Sequence, residues 1–278
     1  MMTAMSPVTS KVSVGPVAFG GGQPFALIAG PCVIESRDHV LRHAEKLAEI
    51  CRRQDVPLVF KSSYDKANRT SIDSYRGVGA DEGLEFLSEI AREVGVPTLT
   101  DVHAPDQARV AGEVVDCLQI PAFLCRQTDL LLAAGSTGRA VNVKKGQFLA
   151  PNDVSNLIDK VRSTGNDNVM ITERGTSFGY HGLIVDFGGF AEMRAAGQPL
   201  VFDATHSVQR PSGQGKTTGG DRSKVPQLAR AAVACGVDGL FMEVHEDPDN
   251  APSDGPNMLR MDDLAGLLTQ LRRIQDSL

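Results

Sequence analysis

Tryptophan is missing from this 278-residue chain, and aromatic residues make up only 5% of it. That removes the stacking surface on which proteins hold single-stranded nucleic acid. Positive charge is not in excess either: 28 Lys and Arg stand against 34 Asp and Glu, a formal charge of -6. No global field attracts nucleic acid or an anionic membrane, so an anionic ligand must be held by local clusters. Nowhere do 18 apolar residues run consecutively, and no membrane partner is expected. Met1 to Lys11 (MMTAMSPVTSK) lacks the apolar stretch of a secretory leader, which points to a cytoplasmic protein. The five cysteines (Cys32, Cys51, Cys117, Cys125, Cys235) are odd in number and contain no CxxC pair, so reduced thiols are expected.

What is present is an ordinary globular balance, 41% hydrophobic and 22% charged. Short β-branched runs recur, each followed by a turn and an amphipathic stretch. Eight can be counted: Phe25 to Ala29, Leu58 to Lys61, Thr98 to Val102, Cys117 to Ile120, Ala140 to Lys144, Asn168 to Thr172, Leu200 to Asp203 and Gly239 to Val244. Between them lie helical patterns such as His39 to Gln54, with Val40, Ala44, Leu47 and Cys51 on one face, and Asp81 to Val94. Ser36 or Asp38 can cap the first helix and Pro105 can start another, while Gly95, Gly135, Gly165 and Gly236 read as helix stops. Eight alternations predict an α/β fold of the (β/α)8 TIM-barrel type, occupying residues 23–278 as one domain. The competing doubly wound sheet lacks its glycine fingerprint, since Ala29-Gly30-Pro31-Cys32 is not GxGxxG. Residues 1–22 form an N-terminal extension, with a small hairpin expected near Val12 to Gly22.

In such a barrel the chemistry collects at the C-terminal ends of the strands. Seven basic residues stand there: Lys61, Lys66, Arg69, Arg126, Lys144, Lys145 and Arg174. Their convergence fits a ligand with several negative charges, phosphate or carboxylate. Cys32, His206 and Glu243 follow strands one, seven and eight, which become neighbours on closure, and Asp254 lies in the loop beyond. Thiolate, imidazole and carboxylate suit a divalent transition ion, although residue types alone are read as readily, or more so, as a buried thiol and a hydrogen-bonded core histidine. His103 and His245 read as neighbours of the site or acid–base groups. Gln209 to Arg222 (QRPSGQGKTTGGDR), with four glycines, reads as a mobile lid.

The strand ends also resemble a known family. IAGPCVIES (Ile28 to Ser36), FKSSYDKANRTS (Phe60 to Ser71), TDVH (Thr100 to His103), QIPAFLCRQTDLL (Gln119 to Leu131), NVKKGQF (Asn142 to Phe148), ERGTSFGY (Glu173 to Tyr180), DATHSVQ (Asp203 to Gln209) and FMEVH (Phe241 to His245) are similar to segments of the 3-deoxy-D-manno-octulosonate 8-phosphate synthases. The resemblance implies a barrel enzyme, usually a homotetramer, that condenses phosphoenolpyruvate with D-arabinose 5-phosphate for lipopolysaccharide core sugar. The related 3-deoxy-D-arabino-heptulosonate 7-phosphate synthases share the GPC segment but carry a KPRTS-like run where this chain has Lys66-Ala67-Asn68-Arg69-Thr70. A non-catalytic phosphosugar-binding barrel is expected to have lost the lysines or the ligand set, and this chain keeps both.

Residue by residue, the resemblance implies that Lys61, Gln119, Ala122, Lys144 and Arg174 surround phosphoenolpyruvate. It places Lys66, Asn68, Arg69 and Thr70 on the pentose phosphate, with Thr70 replacing the commoner Ser, and Arg126 reaching that phosphate from an adjacent subunit. Lys66, Lys144, His206 and Asp254 are the implied catalytic groups, and Cys32, His206, Glu243 and Asp254 the implied ligands of a divalent ion such as Zn, Fe, Mn or Co. Cys at position 32 marks the metal-dependent branch, where the other branch has Asn. The Asp254-Gly255-Pro256 run also occurs in the metal-independent branch.

Overall fold

The computed structural model describes residues 8–69, 71–210 and 219–278. Eight parallel strands succeed one another in chain order: β1 (Ala26–Gly30), β2 (Leu58–Lys61), β3 (Thr98–Asp101), β4 (Cys117–Ile120), β5 (Ala140–Lys144), β6 (Val169–Glu173), β7 (Leu200–Asp203) and β8 (Gly239–His245). The ring closes because β8 pairs with β7 through Val201↔Gly239 and with β1 through Leu240↔Leu27. Helices α1 (Arg37–Arg53), α2 (Ala80–Glu93), α3 (Pro105–Gly112), α4 (Thr128–Ser136), α5 (Val154–Arg162), α6 (Gly189–Arg194), α7 (Val225–Ala234) and α8 (Met261–Gln275) follow the strands in turn. The expected (β/α)8 barrel is therefore observed, and a two-strand antiparallel hairpin, Val12–Val14 with Val17–Phe19, precedes it.

Period-two alternation sorts the strand residues into two cores. Leu27, Phe60, Leu118, Val141, Val143, Ile171, Phe202 and Met242 pack outward against the helices. Ile28, Val59, Leu99, Cys117, Ala140, Met170, Val201 and Phe241 form a second cluster inside the barrel, which Val12, Val14, Val17 and Phe19 of the hairpin join from below. Above that floor the next inward positions turn polar: Lys61, Asp101, Gln119, Asn142, Thr172, Asp203 and Glu243 are all buried. Strand β1 carries no side chain at this height. A Cβ on Gly30 would stand 1.9 Å from the Lys61 carbonyl oxygen, so only glycine lets β1 and β2 approach there.

Local chemistry sets the helix ends largely as expected. Ser36 caps α1 by accepting from the His39 N–H at 3.2 Å, and Gly95, Gly165 and Gly236 follow helices at φ of 75°, 86° and 80°. Gly135 is a correction: it lies inside α4, where a Cβ would meet Thr164 Oγ1 at 2.6 Å, and Gly138 (φ 72°) follows the helix instead. Its glycine serves close packing between α4 and the turn after α5. Strand ends differ from expectation by no more than one residue, with β8 running on to His245.

Candidate active site

A cavity of about 660 Å³ opens at the C-terminal mouth, lined among others by Lys61, Lys66, Asn68, Arg69, Gln119, Ala122, Lys144, Arg174, His206 and Asp254. Strand alternation explains who enters: Lys61, Asp101 and Gln119 occupy inward positions next above the apolar floor, Lys144 the inward position above Asn142, and Asp203 and Glu243 stand at the same level as Lys61 beneath the cavity lining. A hydrogen-bonded chain crosses five strands there. Thr172 Oγ1 donates to Asn142 Oδ1 (2.6 Å), Asn142 Nδ2 to Gln119 Oε1 (2.9 Å), and Gln119 Nε2 to Asp101 Oδ1 (2.6 Å). Ser63 Oγ donates to the other Asp101 oxygen and accepts from Lys61 Nζ at 2.9 Å. Every side-chain polar group along this chain from Thr172 to Lys61 is thereby used, and Lys61 is held in one place.

Two cations flank Glu243. Lys61 Nζ lies 3.3 Å and Lys66 Nζ 3.5 Å from Glu243 Oε1, and their fields, with that of His206, hold the Glu243 carboxyl at about 2 although burial alone pushes it up. Burial works against the Lys66 ammonium, but Cys32, Glu243, Asp101 and Asp254 outweigh it and its pKa is raised. Across the mouth Lys144 Nζ donates to Asp203 Oδ2 and stands 3.6 Å from the centre of the Phe241 ring. Desolvation is the largest influence on Lys144 and lowers its pKa despite Asp203. Arg174 is likewise lowered by burial. One of its Nη atoms donates to Gln209 Oε1, and Nη1 is left without a partner.

Asp203 also orients His206. Its Oδ2 lies 2.6 Å from His206 Nδ1 and its Oδ1 accepts the His206 backbone N–H at 2.8 Å, which fixes the ring with Nε2 turned to the site. That Nε2 faces Glu243 Oε2 at 3.5 Å and Asp254 Oδ2 at 4.0 Å. Cys32 Sγ stands 3.2 Å from Asp254 Oδ2, and one donor atom each from Cys32, Glu243 and Asp254 lie within 4.8 Å of one another. Burial, with Glu243 and Asp254 beside it, pushes the Cys32 thiol well above its ordinary pKa. Asp254 sits at φ 53°, a conformation Asp tolerates better than most residues, and Gln209 Nε2 braces it at 3.2 Å.

Not every expected residue arrives. Lys145 points away from Lys144, as successive strand residues do: it pairs with Glu173 Oε2 at 3.2 Å and lines a separate cavity with Gln147, Phe148 and Ile184. Arg126 is exposed and does not line the main cavity of its own chain. Of the seven cations, Lys61, Lys66, Arg69, Lys144 and Arg174 line the mouth, and Arg222, a basic end of the Gln209 to Arg222 segment, joins them. Arg69 reaches Pro252 O at 3.1 Å and Ser253 Oγ, with its Nε unpartnered. His103 lines the cavity and His245 does not. Thr70 and residues 211–218 of the segment expected to be a lid lie outside the described residues. Gln209–Arg210 and Gly219–Gly220, on either side of 211–218, pair antiparallel. Sequence reasoning assigned no role to Asp203, Ser63, Asn142 or Thr172. Their signal was polarity at alternate positions of otherwise apolar strands.

Comparison with known proteins agrees with this geometry. Residues 5–278 match the DAHP synthetase I family. Proteins named 2-dehydro-3-deoxyphosphooctonate aldolase are similar along nearly the whole chain: one from Trichlorobacter lovleyi is 57% identical over 267 residues, covering 96% of this chain and 98% of its own. One from Cyanothece sp. is 57% identical over 269 residues with the same coverage, and one from Granulibacter bethesdensis is 58% identical over 262 residues, covering 94% and 93%.

Proposed function

The chain belongs to the DAHP synthetase I family, and from that premise we propose that it condenses phosphoenolpyruvate with D-arabinose 5-phosphate and water, giving 3-deoxy-D-manno-octulosonate 8-phosphate and inorganic phosphate. The enzyme serves lipopolysaccharide core sugar synthesis. The observation that carries the reading is one cavity with cations at both sides, Lys144 and Arg174 on one and Lys66 and Arg69 on the other, in a chain whose relatives share that aldolase name. Formation of a heptulosonate 7-phosphate is the alternative. Comparing kcat/KM for arabinose 5-phosphate and erythrose 4-phosphate separates the two: the pentose phosphate is expected to be strongly preferred, and the reverse preference overturns the assignment.

In the reaction C3 of phosphoenolpyruvate bonds to the aldehyde carbon, water oxygen bonds to C2, and the C2–O bond to phosphate breaks. Two phosphates and a carboxylate must meet against their own repulsion, so the residues act chiefly by positioning and charge. Lys61, Gln119, Ala122, Lys144 and Arg174 receive phosphoenolpyruvate. The unpartnered Arg174 Nη1 supports this role, being a buried donor left for a ligand. Lys66, Asn68, Arg69 and Thr70 receive the pentose phosphate, and Lys66 neutralises the alkoxide that forms from the aldehyde. Asp254 accepts a proton from the attacking water.

A divalent ion, of the Zn, Fe, Mn or Co class, belongs to this reading. The residues fit it: Glu243 Oε2 is buried without a hydrogen-bond partner, and sulfur, imidazole and carboxylate donors converge beside it. Cys32, His206, Glu243 and Asp254 hold the ion, which when bound polarises the aldehyde or the water. A homotetramer is the proposed assembly, with Arg126 completing a neighbour's pentose site. Exposed Phe123, Phe148, Phe178, Tyr180 and Ile184 near the mouth supply apolar surface for it. No described helix is long and apolar enough to cross a membrane, and the five unpaired thiols favour the cytoplasm.

A further inference from the structure

Behind the mouth lies a second cluster that the reaction does not use. His39 and His43 stand four residues apart on one face of α1, and Glu35 lies just before the Ser36 cap of that helix. The end of β8 brings His245 against that face. His39 Nε2 and His245 Nε2 are 3.0 Å apart, His245 Nε2 is 2.9 Å from Glu35 Oε1, and His39 Nε2 is 3.7 Å from the same oxygen. All three histidines are buried.

The protons can be counted. The Asp247 N–H donates to His245 Nδ1 at 2.9 Å, so the His245 proton sits on Nε2. His39 Nδ1 has no partner, so nothing opposes a proton there, and His39 Nε2 presents a lone pair. One hydrogen is thus shared among three atoms that all attract a cation. Donors around zinc at about 2.0–2.2 Å in tetrahedral geometry stand roughly 3.3 Å from each other, which is the spacing found here. We propose that Glu35, His39 and His245 form a second divalent transition-metal site, sharing no residue with the Cys32 set.

His43 is in reach as a fourth ligand. Its Nδ1 donates to the His39 carbonyl at 2.8 Å, and its Nε2 lone pair holds only a 3.2 Å bond from the Glu246 N–H. Burial lowers the pKa of His39 and brings that of His43 down to about 4, the direction that favours the neutral imidazole a metal takes. Glu35 supplies the negative charge that offsets the positive end of α1. Imidazoles with one carboxylate select zinc, cobalt, nickel or copper over magnesium and calcium. Binding moves the His245 proton to Nδ1 against the Asp247 N–H, which makes this site weaker than the Cys32 set.

The test is to titrate metal-free protein with Co²⁺, dialyse, count cobalt by mass spectrometry and record the visible spectrum. Two equivalents per chain are expected. His39→Leu should retain one, with the thiolate-to-cobalt charge-transfer band of Cys32. Cys32→Ser should lose that band and retain one equivalent with ligand-field bands alone. Glu35→Gln, which preserves size, should match His39→Leu and guards against misfolding of the latter, with circular dichroism as control. Undiminished cobalt in both His39→Leu and Glu35→Gln overturns the proposal, as does a single equivalent in the wild type that vanishes in Cys32→Ser. A single equivalent that survives in Cys32→Ser and is lost in His39→Leu supports the second site and counts against the first.

Discussion

Climbing β5 from the floor of the barrel to its mouth, the inward residues are Ala140, Asn142 and Lys144; on β8 the same climb goes from Phe241 to Glu243. Both regions are built by one backbone rule, and they satisfy burial in opposite ways. The floor excludes water with apolar side chains and the hairpin, a purely stabilising arrangement. The mouth buries Lys61, Lys144, Asp203 and Glu243, which is tolerable only because each charge has a partner. Even so, Arg69 Nε, Arg174 Nη1 and Glu243 Oε2 stay unsatisfied there. The lesson is that polar groups left over after internal pairing mark where a ligand or ion is to be received.

Substitutions at the two levels should separate stability from turnover. Phe19→Ala removes the hairpin's largest plug in the floor and should cost about 3–5 kcal/mol of unfolding free energy, read by denaturant melts, with KM unchanged. A comparable change in KM would mean that floor and mouth are not independent. At the mouth, Lys144→Met should lower kcat/KM by about 10²–10³-fold, as loss of one positioned charge does, while costing the melt less than Phe19→Ala, because Asp203 keeps its hydrogen bonds with His206 and Thr205. A large loss of stability instead would make Lys144 a structural ion pair with Asp203.

Acid should discriminate the levels as well. Glu243 has its folded pKa depressed to about 2 from an ordinary 4.5, so its contribution is complete above about pH 4.5 and is lost as pH falls through 2. The shift corresponds to roughly 3 kcal/mol, as an order of magnitude. Stability measured from pH 6 down to 2 should decline steeply, and Glu243→Gln should flatten that decline; an unchanged slope would place the acid sensitivity elsewhere. The smallest effect concerns the rim. Arg126→Ala should raise KM for the pentose phosphate by about 1.5–3 kcal/mol equivalent while sparing phosphoenolpyruvate. Equal effects on both substrates, or full activity in a verified monomer, would remove Arg126 from a neighbour's site.

The strand–helix alternation was legible because each strand here is a short apolar run with a helix period after it, and the ends at Lys61, Lys144 and Asp203 could be placed to the residue. Lys145 and Gly135 were not legible. A pair of adjacent lysines carries no mark of which faces inward until the strand's register is set, and a glycine near a helix end looks the same whether it stops the helix or admits Thr164. The histidine cluster escaped for another reason: His39 and His43 lie beside the apolar positions Val40 and Ala44 with nothing local to mark them, and their partner His245 comes 206 positions after His39.

By itself the sequence determined the local periodicities, and with them eight strands, their helices and the residue types standing at the strand ends, because side-chain direction along a strand or helix depends on near neighbours alone. The tertiary structure decided the rest. Closure of β8 onto β1 sets Cys32 3.2 Å from Asp254, 222 positions later, and Asp203 assigns both Lys144 and His206 their orientation. Such distances follow from how eight strands twist and stagger as the ring shuts, a property of all the pairings together and of no segment alone.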